Sequence, residues 1–279
     1  MKFTRIANDL LLTECNNFDP IVSCECGQCF RFDTIDGDSC TLYACGRALT
    51  VKRQENGWLF CDITEEEFSE SFVRYFDLER DYSGIIASFS EDDSLSRAAS
   101  SGSGIRIFRQ DGWETLISFI ISANNNIPRI KKIIDSLCRL YGKEENGYFS
   151  FPSPEKLYEV GIEGLAPIKA GFRAKYIYDA ACKIVSGEVS LEYVATCGYA
   201  QALEELKKIK GVGDKVANCV LLFGFGYYEA FPIDVWVKRV IEKYYGEGFD
   251  PTVFGKYAGI AQQYLFYYER NVLAKEAEE

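Results

Sequence analysis

The chain has 279 residues, enough to bury a substantial core in one domain or two closely packed ones. Hydrophobic residues make up 47% and aromatic residues 15%, which excludes a disordered chain, and no apolar run is long enough to span a bilayer. The 42 acidic and 31 basic residues give a formal net charge of −11, the wrong overall sign for work on a polyanion, and the complete absence of His removes every His-based mechanism and His-containing metal site.

The first residues, MKFTRIANDLLLTEC, carry no signal-peptide pattern, so a cytosolic location is expected, or a nuclear one in a eukaryote, with no membrane partner. From Asn8 to about Ile63 the segments LLLTEC, CFRFDTI, CTLYACG, LTVKRQ and WLFCDI are β-prone and separated by turn signals. They predict an antiparallel sheet with one buried face. Inside this region lies Cys24-Glu25-Cys26-Gly27-Gln28-Cys29. Its Cys-x-x-Cys could hold a metal with a fourth thiol such as Cys15 or Cys40. The odd total of 11 Cys and the lack of a second close pair point instead to reduced thiols, and no metal or cofactor is expected.

Thr64-x-x-Glu67 is a capping pattern and opens a helix toward Arg74. Tyr75 to Leu78 reads as the link out of the β region, which places a boundary after residue 76: a β domain at 1–76 and a helical domain at 77–279. Ser83 to Ala99 is helical in two pieces, and Ser100 to Gly104 a flexible turn. Asp111 starts an apolar helix, LISFIISA, that reads as core and ends in Asn124-Asn125-Asn126-Ile127-Pro128-Arg129. An amphipathic helix follows over Ile130–Leu140, then a turn at Phe151–Pro154 and a short helix over Glu155–Val160. Gly171-Phe172-Arg173-Ala174-Lys175-Tyr176 heads a helix running to Val185.

The most informative stretch is Leu203 to Val240. A short helix over Leu203–Ile209 is followed by Lys210-Gly211-Val212-Gly213-Asp214, whose two glycines permit a tight turn. Asp214 is expected to cap a second helix carrying Lys215, Asn218 and Cys219. Such a helix–hairpin–helix offers unpaired backbone N–H groups to a DNA phosphate and positions a duplex without reading its sequence. Local charge eases the objection raised by the net charge: Arg129, Lys131 and Lys132 cluster, as do Arg173 and Lys175, then Lys207, Lys208, Lys210 and Lys215, then Lys238, Arg239 and Lys243. Much of the acid lies elsewhere, including the C-terminal KEAEE.

Lys215 follows the glycine turn directly, and Asp234 sits downstream in the apolar Phe231-Pro232-Ile233-Asp234-Val235. An amine nucleophile must shed its proton; a shift of about 3 pKa units, roughly 4 kcal/mol, is what an apolar pocket can supply. A nearby carboxylate works against that shift, so Asp234 is expected to stabilise a cationic sugar rather than to activate Lys215. Gln262 and Phe266 lie four apart on one face of the last helix, where an amide can meet a base edge and a ring can stack on it.

GVGDKVANC followed by FPIDVWV resembles the helix–hairpin–helix DNA glycosylase superfamily, in its 8-oxoguanine DNA glycosylase/lyase branch. The resemblance implies an α+β fold, with an N-terminal antiparallel β domain packed on an all-α helix–hairpin–helix domain. It implies Lys215 as nucleophile, Asp234 as assisting carboxylate, and double-stranded DNA containing oxidised guanine as partner, with a monomer expected. Gly27-Gln28-Cys29-Phe30-Arg31 is similar to the family's Gly-Gln-x-Phe-Arg, which makes Gly27 the candidate reader of the lesion's N7–H. The flipped base would be gripped by Cys219, Gln262 and Phe266. Asn124 would fill the gap in the stack, with Arg129 and Arg173 on the orphaned cytosine and Phe172 wedged beside it. Gly211 and Gly213 shape the phosphate-binding hairpin. Trp236 stands where the family usually has a phosphate-contacting His; its N–H donates one hydrogen bond but carries no charge. Phe172 for Tyr and Lys175 for Arg weaken the match to the family's cytosine-reading segment. Three other readings stay open on the residues alone: a glycosylase for another damaged base, a non-catalytic DNA-binding module, and a thiol-based metal or redox protein built on Cys24, Cys26 and Cys29.

Overall fold

The computed structural model describes residues 1–145 and 147–273; the acidic KEAEE segment lies outside the described residues. Six strands form one antiparallel sheet in the order β1-β2-β6-β5-β4-β3. They are β1 (Lys2–Ile6), β2 (Asp9–Thr13), β3 (Phe32–Asp36), β4 (Ser39–Ala44), β5 (Arg47–Gln54) and β6 (Gly57–Phe60). Alternation sets the buried face: Leu10 and Leu12 of β2, Leu49 and Val51 of β5, and Phe60 of β6 all point inward. β1 escaped the sequence reading because its pattern is polar and largely exposed; it is an edge strand held by its pairing with β2.

The expected capping box is present. Thr64 accepts from the Glu67 amide, and Glu67 accepts from the Thr64 amide. The helical stretch that follows, over 65–75, lays Phe68 and Phe72 on the sheet, and Phe76 and Phe108 complete an aromatic cluster beneath it. The segment around Phe108 thus returns from the helical region to the β core. The Arg109 amide donates to the Tyr75 carbonyl, and the Gln28 side chain accepts from the Phe108 amide.

The helical part holds α1 (Gly112–Ser122), α2 (Ile127–Tyr141), α3 (Ala174–Val185), α4 (Tyr199–Lys207), α5 (Asp214–Val220), α6 (Val235–Val240) and α7 (Ala258–Tyr267). α1 is the apolar helix of the sequence reading, capped by Asp111, and eight of its residues are buried. An α+β chain with an antiparallel sheet joined to a helical domain is what the sequence implied.

Two local expectations change. Ser100 and Ser101 are exposed and end a helix over Asp93–Ser101, while Gly102 and Gly104 are packed: a methyl group on Gly102 would lie 3.0 Å from Ile105 and from Tyr264, and the Gly104 carbonyl accepts from the Asp19 amide at 2.8 Å. The N-cap of α5 is Gly213, not Asp214. Asp214 is the first helical residue, and its carboxylate is drawn 2.9 Å from the Lys207 ammonium across the hairpin. The Lys pairing and the favourable charge of a helix N-terminus hold it there without a cap.

Candidate active site and DNA-facing surface

Two adjoining cavities share Gly27, Phe119, Lys215, Asp234 and Phe266 among their walls. The outer one, about 620 Å³, opens along the Asn124–Asn126 loop and Trp236. The inner one, about 40 Å³, is walled by Cys219, Gln262, Gln263 and Pro232. It has space for a few waters and not for a two-ring base.

α5 presents Lys215 to both cavities. Its ammonium lies 5.2 Å from the centre of the Phe119 ring, and the side chain is half-buried. Phe119 itself packs against Phe30 and Phe223. Asp234 caps α6, its Oδ1 accepting from the Trp236 and Val237 amides at 3.0 and 2.9 Å. Asp234 is therefore both a cap and a cavity-lining carboxylate. Asn218 fixes the distance between the two: its side chain accepts from the Phe231 amide and from Tyr199, and donates to the Asp214 carbonyl. Cys219 lies one turn beyond Lys215. Burial pushes its thiol up to about 11, with the Lys215 ammonium pulling the other way and Asp234 reinforcing burial. The thiol is neutral near pH 7, as an apolar wall requires.

Gln262 is 4% exposed, and its Oε1 has no hydrogen-bond partner. An orphaned buried acceptor costs roughly 1–3 kcal/mol, and Gln262 is in the wall of the inner cavity. Phe266, one turn on, leans on Gly27: a methyl group there would lie 3.2 Å from the ring, and Gly27 has φ +82. Both the backbone angle and the contact demand glycine. The loop that carries Gly27 is held by buried amides. Gln28 donates to the Ser23 and Arg106 carbonyls, and Gln263 donates to the Cys26 carbonyl. Cys24, Cys26 and Cys29 are buried free thiols within this packing, and no group of three potential ligands is arranged for a metal among the described residues.

The three consecutive Asn divide the work. Asn126 caps α2 through the Arg129 amide, and Asn125 donates to the Ile121 carbonyl. Asn124 is left exposed at φ 51, a left-handed angle that Asn tolerates, with its side chain uncommitted. Arg129 is exposed beside it, and Phe172 is 51% exposed. Arg173, expected on the orphaned cytosine, is turned inward in this structure. It is 3% exposed, and its guanidinium donates to the Ala123, Asn124 and Ala170 carbonyls. Two inward carbonyls of the loop, Ala123 and Asn124, and the Ala170 carbonyl of its own segment need donors, and Arg173 supplies them; here it braces Asn124 rather than facing solvent.

In the hairpin, Gly211 has φ +84, and a methyl group there would strike the Tyr176 ring at 2.5 Å, whereas Gly213 faces open space. No side chain caps α5, which leaves its first amides free for a phosphate. Tyr176 in turn packs edge-on against Phe172, so hairpin, wedge, Asn loop and cavity form one continuous face. Several cations of this face are already paired: Lys207 with Glu204 and Asp214, Lys208 with Glu205, Lys210 with Asp179, Lys238 with Glu242. The pairs of Lys207 and Lys238 have exposed carboxylates and are worth little, whereas Glu205 and Asp179 are largely buried partners of Lys208 and Lys210. Trp236 lines the outer cavity, with the Arg239 guanidinium 4.7 Å above its ring.

A sequence model described as the 8-oxoguanine DNA glycosylase N-terminal domain matches residues 10–116, and one described as the HhH-GPD superfamily of base excision DNA repair proteins matches residues 117–253. A probable N-glycosylase/DNA lyase of Methanothermobacter thermautotrophicus is 31% identical over 244 residues, covering 76% of this chain and 78% of that protein. The chain belongs to the 8-oxoguanine DNA glycosylase/lyase family. Two family structures superpose over the whole chain. The Clostridium acetobutylicum 8-oxoguanine glycosylase/lyase, solved with double-stranded DNA containing cytosine opposite 8-oxoguanine, is 37% identical with a TM-score of 0.91, covering 100% of this chain and 99% of its own. MBOgg1, solved with a low-affinity DNA ligand, is 39% identical with the same TM-score and full coverage of both chains.

Beside the residues singled out from the sequence, Phe119, Gln263 and Arg270 line the two cavities, and Gln28 and Asn218 brace the segments that do. Phe119 was hidden in a helix that reads as uniform core. Gln28 stood inside a recognised motif, but its role as a brace appears only when Arg106 and Phe108 come to it through the fold.

Proposed function

We propose that the protein excises 8-oxoguanine from duplex DNA and cleaves the abasic strand by β-elimination. The reading rests above all on one observation: Lys215, Asp234 and the unpartnered Gln262 Oε1 converge on a single slot beside an uncapped hairpin. The duplex docks its phosphates on the Gly211–Gly213 turn, and Asn124 enters the stack as the lesion leaves it, with Arg129 and Phe172 at the opposite base. The base displaces Phe266 from Gly27 and stacks between that ring and Cys219. Gln262 Oε1 accepts from the N–H groups on guanine's Watson–Crick edge, and the Gly27 carbonyl accepts the N7–H that distinguishes the oxidised base. A site built around such a bond rejects the analogue that lacks it.

Lys215, once deprotonated, attacks C1′; the N-glycosidic bond breaks and its electron pair leaves with the base. Asp234, with Oδ2 free of the helix cap, stabilises the cationic sugar. Opening of the sugar gives a Lys215 Schiff base. Loss of the C2′ proton then expels the 3′ phosphate. The site is complete within one chain, so a monomer suffices, acting in the nucleoid or the nucleus. Residues 1–76 and 77–279 are proposed as the β and helical domains. The test is base release from duplexes carrying 8-oxoguanine, guanine or 3-methyladenine opposite cytosine or thymine as appropriate. Release of 8-oxoguanine alone is expected; release of only the alkylated base would move the chain to another lesion.

A further inference from the structure

Arg270 has no role in the chemistry above, yet its position is unusual. It lies four residues beyond Phe266 and eight beyond Gln262, in the helical turn that continues α7. Its Nη1 is buried without a hydrogen-bond partner, and among the described residues it forms no ion pair. Its guanidinium carbon is 5.6 Å from the Phe266 ring centre, and Nη1 lies 3.5 Å from where a methyl group on Gly27 would stand. An orphaned guanidinium nitrogen costs more than an orphaned neutral group, so a fold that keeps one in a cavity wall holds it for a ligand.

The two cavities distinguish the possible ligands. Arg270 lines the outer one, with Trp236, Asp234 and Asn124, and not the inner slot where Cys219 and Gln262 meet a base. Among the described residues only two cations line that outer cavity, Lys215 and Arg270. If Lys215 is consumed at C1′, Arg270 is the one left to meet the backbone of an extruded nucleotide, which carries its charge on phosphate. Burial pulls the Arg270 pKa down, with Cys26 and Asp234 opposing it, but a guanidinium remains charged.

We propose that Arg270 is a phosphate ligand for the flipped nucleotide, holding one backbone phosphate that flanks it so that C1′ faces Lys215. The proposal rests on the base-flipping reading above. A guanidinium suits this task because its planar fork can give two parallel hydrogen bonds to phosphate. It follows that Phe266 and Arg270 respond together: the ring that must leave Gly27 lies against the guanidinium that would turn to the phosphate.

The test uses the full chain and a duplex with a tetrahydrofuran abasic analogue, which needs neither excision nor the correct base. Binding of wild type, Arg270→Gln and Arg270→Lys is measured with normal phosphates and with a neutral methylphosphonate at each phosphate flanking the analogue. Arg270→Gln should weaken binding roughly tenfold or more and reduce the slope of log K against log salt by about 0.9; Arg270→Lys should recover part of both. One methylphosphonate should weaken wild type by a similar factor and leave Arg270→Gln nearly unchanged. Equal sensitivity of wild type and both variants to every methylphosphonate would overturn the proposal. So would wild-type affinity in Arg270→Gln, including the case where only 8-oxoguanine excision is lost, which would assign Arg270 to the base slot. The lysine variant preserves the test if the glutamine variant folds poorly. Failure to excise 8-oxoguanine with the methylphosphonate pattern intact would sink the substrate assignment and leave this contact standing.

Discussion

The inner slot and the DNA-facing rim are built on opposite plans. Around the slot, the supporting side chains are buried and committed: Gln28 and Gln263 hold the Gly27 loop, Asn218 ties Lys215's helix to the segment before Asp234, and Phe266 lies over Gly27. On the rim, Asn124, Arg129 and Phe172 are exposed, with Arg173 fixing the loop from beneath. The slot has its donors and acceptors placed but about 40 Å³ of space; the rim is open and has no chemistry. In the proposed reaction, binding energy gained at the rim opens the slot, so that the cost of moving Phe266 falls only on a docked duplex.

That division can be broken residue by residue. Asp234→Asn should have the largest effect confined to the slot. Asn caps a helix as well as Asp, so the melting temperature should hold while single-turnover excision falls on the order of 10²-fold or more. A matching loss of stability would reduce Asp234 to a structural cap. Gly27→Ala places a side chain at φ +82 and against Phe266. It should lower excision roughly tenfold to a hundredfold while affinity for abasic duplex changes only a few-fold, since a strained residue costs about 1–2 kcal/mol locally. Equal losses in both would mean that slot and rim are not separable.

Arg173→Lys sharpens the rim. Lys cannot satisfy three carbonyls in the guanidinium's plane, so the melting temperature should fall by roughly 5 °C. Unchanged stability with altered preference for the opposite base would show that Arg173 turns outward on DNA. The smallest effect is with pH. Burial raises Cys219 from 9.0 to about 11 and Cys26 to about 12. Below pH 9 both states hold these protons and the stabilisation is complete. Above it the unfolded chain loses them first, so the melting temperature should decline from pH 9 toward 11. A flat profile would show that these thiols are open to water.

The residue types of the site were legible because each carries its own chemistry at a fixed spacing: the glycines of the hairpin, Lys215 after it, Asp234 after Pro232, and Gln262 four before Phe266. What the sequence concealed depends on where side chains turn in three dimensions. Arg173 reads as a surface cation, but the left-handed turn at Asn124 exposes carbonyls that draw it inward. Asp214 reads as a cap until Lys207 arrives from the preceding helix. The basic clusters read as free charge, whereas pairing consumes most of those on the hairpin and α6. Phe119 and Arg270 gain meaning only from the cavities they line.

The central claim is that Lys215 becomes covalently bound to the damaged nucleotide. Borohydride trapping on a duplex with one 8-oxoguanine opposite cytosine tests it directly, with Lys215→Gln and an undamaged duplex alongside. A protein–DNA adduct that requires both the lesion and Lys215 is the predicted result. Base release without any adduct, or an adduct that survives Lys215→Gln, would contradict it.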